Sequence, residues 1–268
     1  MTSESKSNAL VITRVEERVD AGHIAYVTVN NPAERNALGR NGKEALITAF
    51  QALARDEALR VAVLTGAGNR AFIAGANLKE MAEVDWRDAE DISTKTHLAC
   101  DAIRRLPVPV IARINGYCLG AGMEIAASCD MRVGIDSAKF GMPEVKFGIP
   151  SGMEACLLPG LIGWGKTREL VLTGELIDAN EAYRCGFLDR LAAPGELDAA
   201  VEQWVSAILS AGPRAVRIQK RLLRDWEHMT IADAVKQGIA AVVEARKTDE
   251  PKRLMEAFVN RKKNTADD

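Results

Sequence analysis

The chain has 268 residues, 47% of them hydrophobic, and its 35 Lys and Arg against 37 Asp and Glu leave a net charge of −2. Such a chain buries a core of its own, which excludes an intrinsically disordered protein, and the near-neutral balance argues against a dedicated nucleic-acid binder, which carries a basic surplus. Five scattered cysteines without a C-x-x-C pair and three separated histidines exclude a disulfide scaffold and a local metal site; they predict free, buried or half-buried thiols in a reducing compartment.

The N-terminal MTSESKSNAL lacks the apolar run of a secretory signal and the arginine pattern of a transit peptide. The richest apolar stretch, Ala155–Trp164, is interrupted by Pro159 and glycines, and falls short of the ~18 apolar residues of a membrane span. A soluble cytoplasmic protein with no membrane partner is expected. In chain order, His23–Asn30 has the β-branched and aromatic content of a strand and is closed by Asn31-Pro32. Leu38–Leu53 places Leu46, Phe50 and Leu53 at helical spacing. Arg60–Gly66 is a short apolar run ended by glycine, as in a strand buried on both faces. Val108–Ile114, with prolines at its start, and Cys129–Ile135 read the same way. Strands separated by helical stretches imply right-handed crossovers and a mostly parallel sheet.

Beyond Leu161 the pattern turns helical, over Trp164–Leu172, Asp178–Cys185, Glu196–Leu209, Pro213–Trp226 and Ile231–Ala245, with one short strand-like piece near Phe187–Leu191. Asp178 and Asp198 suit helix starts, as does Pro213. The expected organisation is an α/β single-domain chain, with a core over 1–195 and a helical C-terminal region over 196–268. The last two residues, Asp267 and Asp268, read as a solvated tail.

Three glycine-rich turns are candidates for chemistry. Gly66-Ala-Gly-Asn-Arg-Ala71 fits the loose dinucleotide pattern, but no long helix follows, so it reads as a strand-exit turn. Ala74–Met81 and Gly120–Ala126 each open a helix. Free main-chain N–H groups at such starts, beside small side chains, can stabilise developing negative charge. Glu124 stands in an otherwise apolar helical turn, where a carboxylate is costly to bury unless used, although a helix-start glutamate is also favoured by the dipole. Glu144 follows Gly141-Met-Pro143 in a loop and reads either as a second acid or as a solvated turn residue.

These segments resemble the enoyl-CoA hydratase/isomerase (crotonase) superfamily. The resemblance is carried by Asn31–Leu38, Phe72–Met81, Ile114–Glu124, Cys129-Asp130, Phe140–Glu144 and Leu172–Glu175 with Ala182 and Gly186, over roughly Leu10 to Phe258. It implies a spiral of ββα turns with a helical C-terminal region, and a homotrimer or homohexamer. It also implies an acyl-coenzyme A thioester as substrate, with no separate cofactor, no metal and no nucleic-acid partner. The thioester oxygen would meet the N–H groups of Ala76 and Ala121. Glu124 would activate water and Glu144 would protonate Cα, the two being able to share both jobs; keeping both acids favours hydration over double-bond isomerisation. Arg35, Ala37, Ala74, Asn77, Leu78, Lys79 and Gly120 would contact the substrate or its coenzyme A, with Arg35 and Lys79 near phosphates and Phe258 and Lys262 approaching from the last helix. Asn77 replaces the commoner aspartate, and Lys146–Cys156 departs from the usual pattern by about one residue. Glu154, new in that stretch, is expected to face solvent, the alternative being a third acid in the pocket. Isomerisation or other enolate chemistry, and a non-catalytic acyl-CoA or RNA-binding scaffold drawing on Arg214–Arg224, are the competing functions.

Overall fold

The computed structural model of the chain describes residues 9–264, the last four by backbone alone. The two terminal aspartates and the Lys262 side chain therefore lie outside the described residues. Strand β1 (Val11–Arg18) folds back antiparallel on β2 (Gly22–Val29), with Val11 opposite Val29 and Arg18 opposite Gly22. From β2 onward the large sheet is parallel, through β3 (Leu59–Gly66), β5 (Val110–Ile114), β7 (Met131–Ile135) and β10 (Arg190–Ala192), in the order β1-β2-β3-β5-β7-β10. A smaller sheet runs β4-β6-β8-β9, formed by β4 (Ala71–Ile73), β6 (Tyr117–Leu119), β8 (Lys139–Gly141) and an antiparallel β9 (Leu176–Asp178).

The second and third circuits of the chain each lay one strand in the large sheet and one in the small sheet, then add helix. The second circuit is β3, β4 and the helices α2 (Leu78–Glu83) and α3 (Ala89–Arg105); the third is β5, β6 and α4 (Ala121–Ala127). This is the expected ββα spiral, with helix α1 (Arg40–Leu53) supplied by the first circuit.

The central strands are apolar because both of their faces are covered. On β3, Leu59, Ala62 and Leu64 join a core with Leu46 and Phe50 of α1 and Ala99 and Ile103 of α3. Val61 and Val63 point the other way, to Leu197, Val201 and Val205 of α7 (Leu197–Ser210). The division expected at 195/196 falls between β10 and α7. Helices α5 (Leu158–Thr173) and α6 (Ala179–Arg184) lie between the small-sheet strands and β10, and Asp178 caps α6 by accepting from the Glu181 N–H at 2.8 Å.

The C-terminal helices α8 (Pro213–Trp226), α9 (Ile231–Ala245) and α10 (Glu250–Asn264) share only a small buried apolar cluster, Ile218, Leu222 and Ala241. Polar contacts fix α8 to the spiral. The buried Lys220 Nζ donates to the Val108 carbonyl and the Asp130 carboxylate, both at 2.8 Å, and Arg217 donates to the Leu59 carbonyl at 2.8 Å. Among the described residues no helix is long and apolar enough to cross a membrane. All five thiols are free. The expectation of burial holds for Cys100, Cys118, Cys129 and half-buried Cys185, whereas Cys156 is exposed, because its turn places it on the outer side.

Candidate active site

The cleft forms where the small-sheet strands deliver their exits to helix starts. After β4 the chain turns through Gly75, whose φ of 102° is in the left-handed region that favours glycine. Leu38 then bridges this turn as in a parallel ladder: its N–H donates to Gly75 O at 2.9 Å, and its carbonyl accepts from Asn77 N–H at 3.1 Å. A residue bonded to both neighbours of Ala76 leaves the N–H of Ala76 itself facing the opposite way, and that N–H has no hydrogen-bond acceptor among the described residues.

The second turn starts at Gly120, with φ of 51°, whose N–H donates to Gly141 O at 2.9 Å. Ala121 is the first residue of α4, so its N–H is one of the donors a helix start leaves without an internal acceptor. Two close approaches bring the turns together. A Cβ on Gly122 would run into the carbonyl of Ile73 in β4, and a Cβ on Gly75 would lie 3.3 Å from Leu119 O.

Both acids stand near the Gly120 turn. Glu124 lies one helical turn beyond it and is 1% exposed. Glu144 sits in the 3₁₀ turn Pro143–Phe147 after β8 and is half-buried. Its Oε1 packs against the bare Cα of Gly120, where any Cβ would collide with it, and its Oε2 accepts from Ser151 Oγ at 2.8 Å. The Glu124 carboxyl accepts on Oε1 from the Ala155 N–H at 3.1 Å. Burial, and then the negative charge of Glu144, push its pKa up to about 8. The buried Lys43 opposes this only in small part, being itself shifted down by burial.

The cleft encloses about 410 Å³. Arg35, Ala37, Ala74 and Ala76 line one side with Asn77, Leu78 and Lys79, and Gly120 and Glu144 line the other. Leu119, Phe147 and Ile149 add an apolar wall, while Ala121 and Glu124, which follow Gly120 on α4, are buried and not among the lining residues. Arg35 is held with φ of 54° by its neighbour Asn36, whose buried amide donates to Ala67 O and Ala71 O at 3.0 and 2.9 Å. The Arg35 guanidinium lies 5.3 Å from the Tyr117 ring centroid. Asn77 caps α2, its side-chain oxygen accepting from Lys79 N–H at 3.1 Å and Glu80 N–H at 3.3 Å. Lys79 pairs with Glu34 at 3.1 Å on the rim. Phe258 on α10 is 59% exposed and is not among the cleft residues.

One expectation is overturned. Glu154 does not face solvent: it is 6% exposed. The turn Met153–Leu157 packs it between α3 and α4, and its Oε1 lies 2.6 Å from His97 Nδ1. Sequence reasoning does not assign Ser151, Ala155 or Glu154 to the site. The signal for all three is the departure from the usual pattern over Lys146–Cys156. The Gly66–Ala71 segment connects β3 to β4 and no helix follows, which removes the dinucleotide reading. Among the described residues, no group of three or more His, Cys, Asp or Glu could hold a metal ion.

Main-chain donors without acceptors beside a cleft, with two neighbouring carboxyls, are an arrangement able to stabilise an oxyanion and to move protons. Over residues 20–268 the chain matches the family profile described as Enoyl-CoA hydratase/isomerase. The chain belongs to the enoyl-CoA hydratase/isomerase family. It is 32% identical over 243 residues to a short-chain-enoyl-CoA hydratase of Clostridium acetobutylicum, covering 90% of this chain and 93% of that one. It is 32% identical over 241 residues to a crotonyl-CoA hydratase of Syntrophomonas wolfei, with 90% and 93% covered. The crystal structure of an enoyl-CoA hydratase from Mycobacterium smegmatis matches with a TM-score of 0.89 at 31% identity, over 94% of this chain and 96% of that one.

Proposed function

We propose that this protein is an enoyl-CoA hydratase, adding water reversibly across the 2,3 double bond of a 2-enoyl-CoA to give the 3-hydroxyacyl-CoA. The observation that carries this is the nearness of the buried Glu124 to Glu144, which packs on Gly120, beside the N–H groups of Ala76 and Ala121 that have no acceptor among the described residues. The hydratases among its relatives support the same reading.

In this mechanism the thioester oxygen accepts from Ala76 and Ala121, which draws electrons from Cβ and stabilises the enolate. The negative charge of Glu144 favours a proton on its buried neighbour Glu124, so the pair enters the reaction with one proton. In the reactive arrangement that proton sits on Glu144. Glu124 takes a proton from water as the oxygen bonds to Cβ, and Glu144 gives its own to Cα. Water is consumed, the pair again carries one proton, and the two acids have exchanged roles. A base with proton affinity raised toward neutrality is well matched to water activation. Coenzyme A arrives as part of the substrate, so the reaction as proposed uses no separate cofactor.

A homotrimer or a dimer of trimers belongs to this proposal, supported by the exposed apolar side chains Ile231, Val235, Ile239 and Val242 on α9. A cytoplasmic setting also belongs to it, supported by five free thiols. The test is turnover of purified protein on a panel of 2-enoyl-CoAs, with product masses. Gain of one water supports hydration; an unchanged mass with a moved double bond would establish isomerisation instead, and no turnover on any member would overturn the proposal.

A further inference from the structure

Glu154 is the buried acid that this mechanism leaves without a task. It immediately precedes Ala155, whose N–H holds Glu124. Its Oε1 is paired with His97, an α3 residue whose side chain is 56% exposed. Its Oε2 is buried and has no hydrogen-bond partner among the described residues. The preceding Met153 has a φ of 39°, a region unfavourable for a residue with a side chain. Backbone strain and an unpaired buried carboxylate oxygen both cost free energy, so the turn is held in place by its neighbours rather than by its own preference. Because Oε2 is closed to solvent, what it acts on is internal.

The groups around Glu124 are few. Glu144 faces it from the Pro143–Phe147 turn, Glu154 from the Met153–Leu157 turn and Lys43 from α1. The Cys100 thiol of α3 faces both Glu124 and Glu154. Lys43 in turn faces Glu80 and Arg40. Strand β6 also packs on α4, and its Cys118 thiol turns to the Gly122 carbonyl. Glu154 is therefore the one negative charge beside Glu124 that is neither a proposed reactant nor in the cleft, and His97 is its only ionic partner among the described residues.

We propose that Glu154, gripped from outside by His97, is a positioning residue for Glu124: its turn aims the Ala155 N–H at the Glu124 carboxyl, and its charge sets the field in which Glu124 exchanges its proton. This rests on the reading of Glu124 as a proton-transferring group. A negative neighbour favours the protonated carboxyl. Removing the charge of Glu154 must therefore lower the Glu124 midpoint, and a shorter acid at the same position must restore part of it, which a merely structural role would not produce.

The experiment titrates Glu124 by carbon-13 NMR of carboxyl-labelled glutamate, the signal being assigned by its loss in Glu124→Gln, alongside the pH profile of kcat/KM on crotonyl-CoA. Glu154→Gln should lower the Glu124 midpoint and move the acid limb with it by about one pH unit, and Glu154→Asp, which keeps the charge, should bring both part of the way back. A midpoint that stays put in Glu154→Gln, or falls as far in Glu154→Asp, overturns the proposal. If Glu154→Gln does not fold, His97→Ala at its exposed position, which removes the grip on the turn, decides alone, an unmoved midpoint being the overturning result. The NMR midpoint is read without substrate. Loss of the hydratase reading, shown by full turnover in Glu124→Gln, is thereby distinguishable from loss of this one.

Discussion

The Ala155 N–H donates to Glu124 Oε1 over 3.1 Å, although the two residues are separated by 31 positions. One carboxylate oxygen of the buried acid is thereby fixed in direction. The segment after Glu144, where the chain departs from its family's usual pattern, thus holds Glu124 through Ala155 as well as giving Phe147 and Ile149 to the cleft wall.

Glu124→Gln and Glu144→Gln should each lower kcat by about 10²- to 10⁴-fold, the usual loss when a general acid or base is removed. Following the conjugated thioester absorbance of crotonyl-CoA, with circular dichroism to verify folding, measures this. Wild-type rates in either variant would remove that residue from the mechanism.

Stability should depend on pH through Glu124. Its folded-state pKa is raised from the ordinary 4.5 to about 8 by burial and by Glu144. Across that window the native chain holds a proton that the unfolded chain has released, so stability falls as pH rises and levels off above about 8. Glu124→Gln abolishes this dependence. Its stability relative to wild type should grow between pH 5 and pH 8 by on the order of 3 kcal/mol, since one proton held across each pH unit is worth about 1.4 kcal/mol. Urea melts at the two pH values measure it; a constant difference contradicts the assignment.

Gly120→Ala tests the turn near which the two acids stand. Gly120 has a φ of 51°, and a methyl group there collides with Glu144. Both Glu144 and the Ala121 N–H must shift, so kcat/KM should fall by about 10²-fold or more, as for loss of an oxyanion-hole donor. The stability loss should be only about 1–2 kcal/mol. Parallel kinetics and thermal melts separate the two effects.

Asn77→Ala removes the cap of α2 and the bond from Asn77 Nδ2 to Glu34 at 3.0 Å. Loss of a cap costs about 1 kcal/mol. Because the same turn carries Ala76 and the cleft wall, KM for a CoA thioester should rise more than kcat falls. Asn77→Asp keeps the capping oxygen and should restore most of the loss in steady-state kinetics.

The long elements are legible in the sequence because their covering is regular. Strand β3 alternates between α1 and α7, and α1 repeats its apolar face every turn. The three-residue strands β4, β6 and β8 are not, since Ala-Phe-Ile, Tyr-Cys-Leu and Lys-Phe-Gly are too short to show a period. They exist because successive circuits stack, which is information from elsewhere in the chain. Helix α3 is hidden because its buried stripe, Ile92, Thr96, Ala99, Cys100 and Ile103, mixes polar and small residues. The roles proposed for Ala76 and Ala121 lie in their backbones, so side-chain chemistry cannot reveal them and family resemblance has to suggest them. Glu154 looks like a loop acid beside Gly152, and only α3 and α4, distant in sequence, bury it.

The attachment of α8 has a further consequence. A buried ammonium and a guanidinium seated on main-chain carbonyls serve as pegs, while the three-residue apolar cluster lies inside the hairpin, between α8 and α9. In an isolated chain, that hairpin should come loose as a sub-global unit below the free energy of complete unfolding. Amide protons of α8 and α9 should then exchange with deuterium well before those of β3 and β5, leaving the spiral and its cleft closed while the tail swings free.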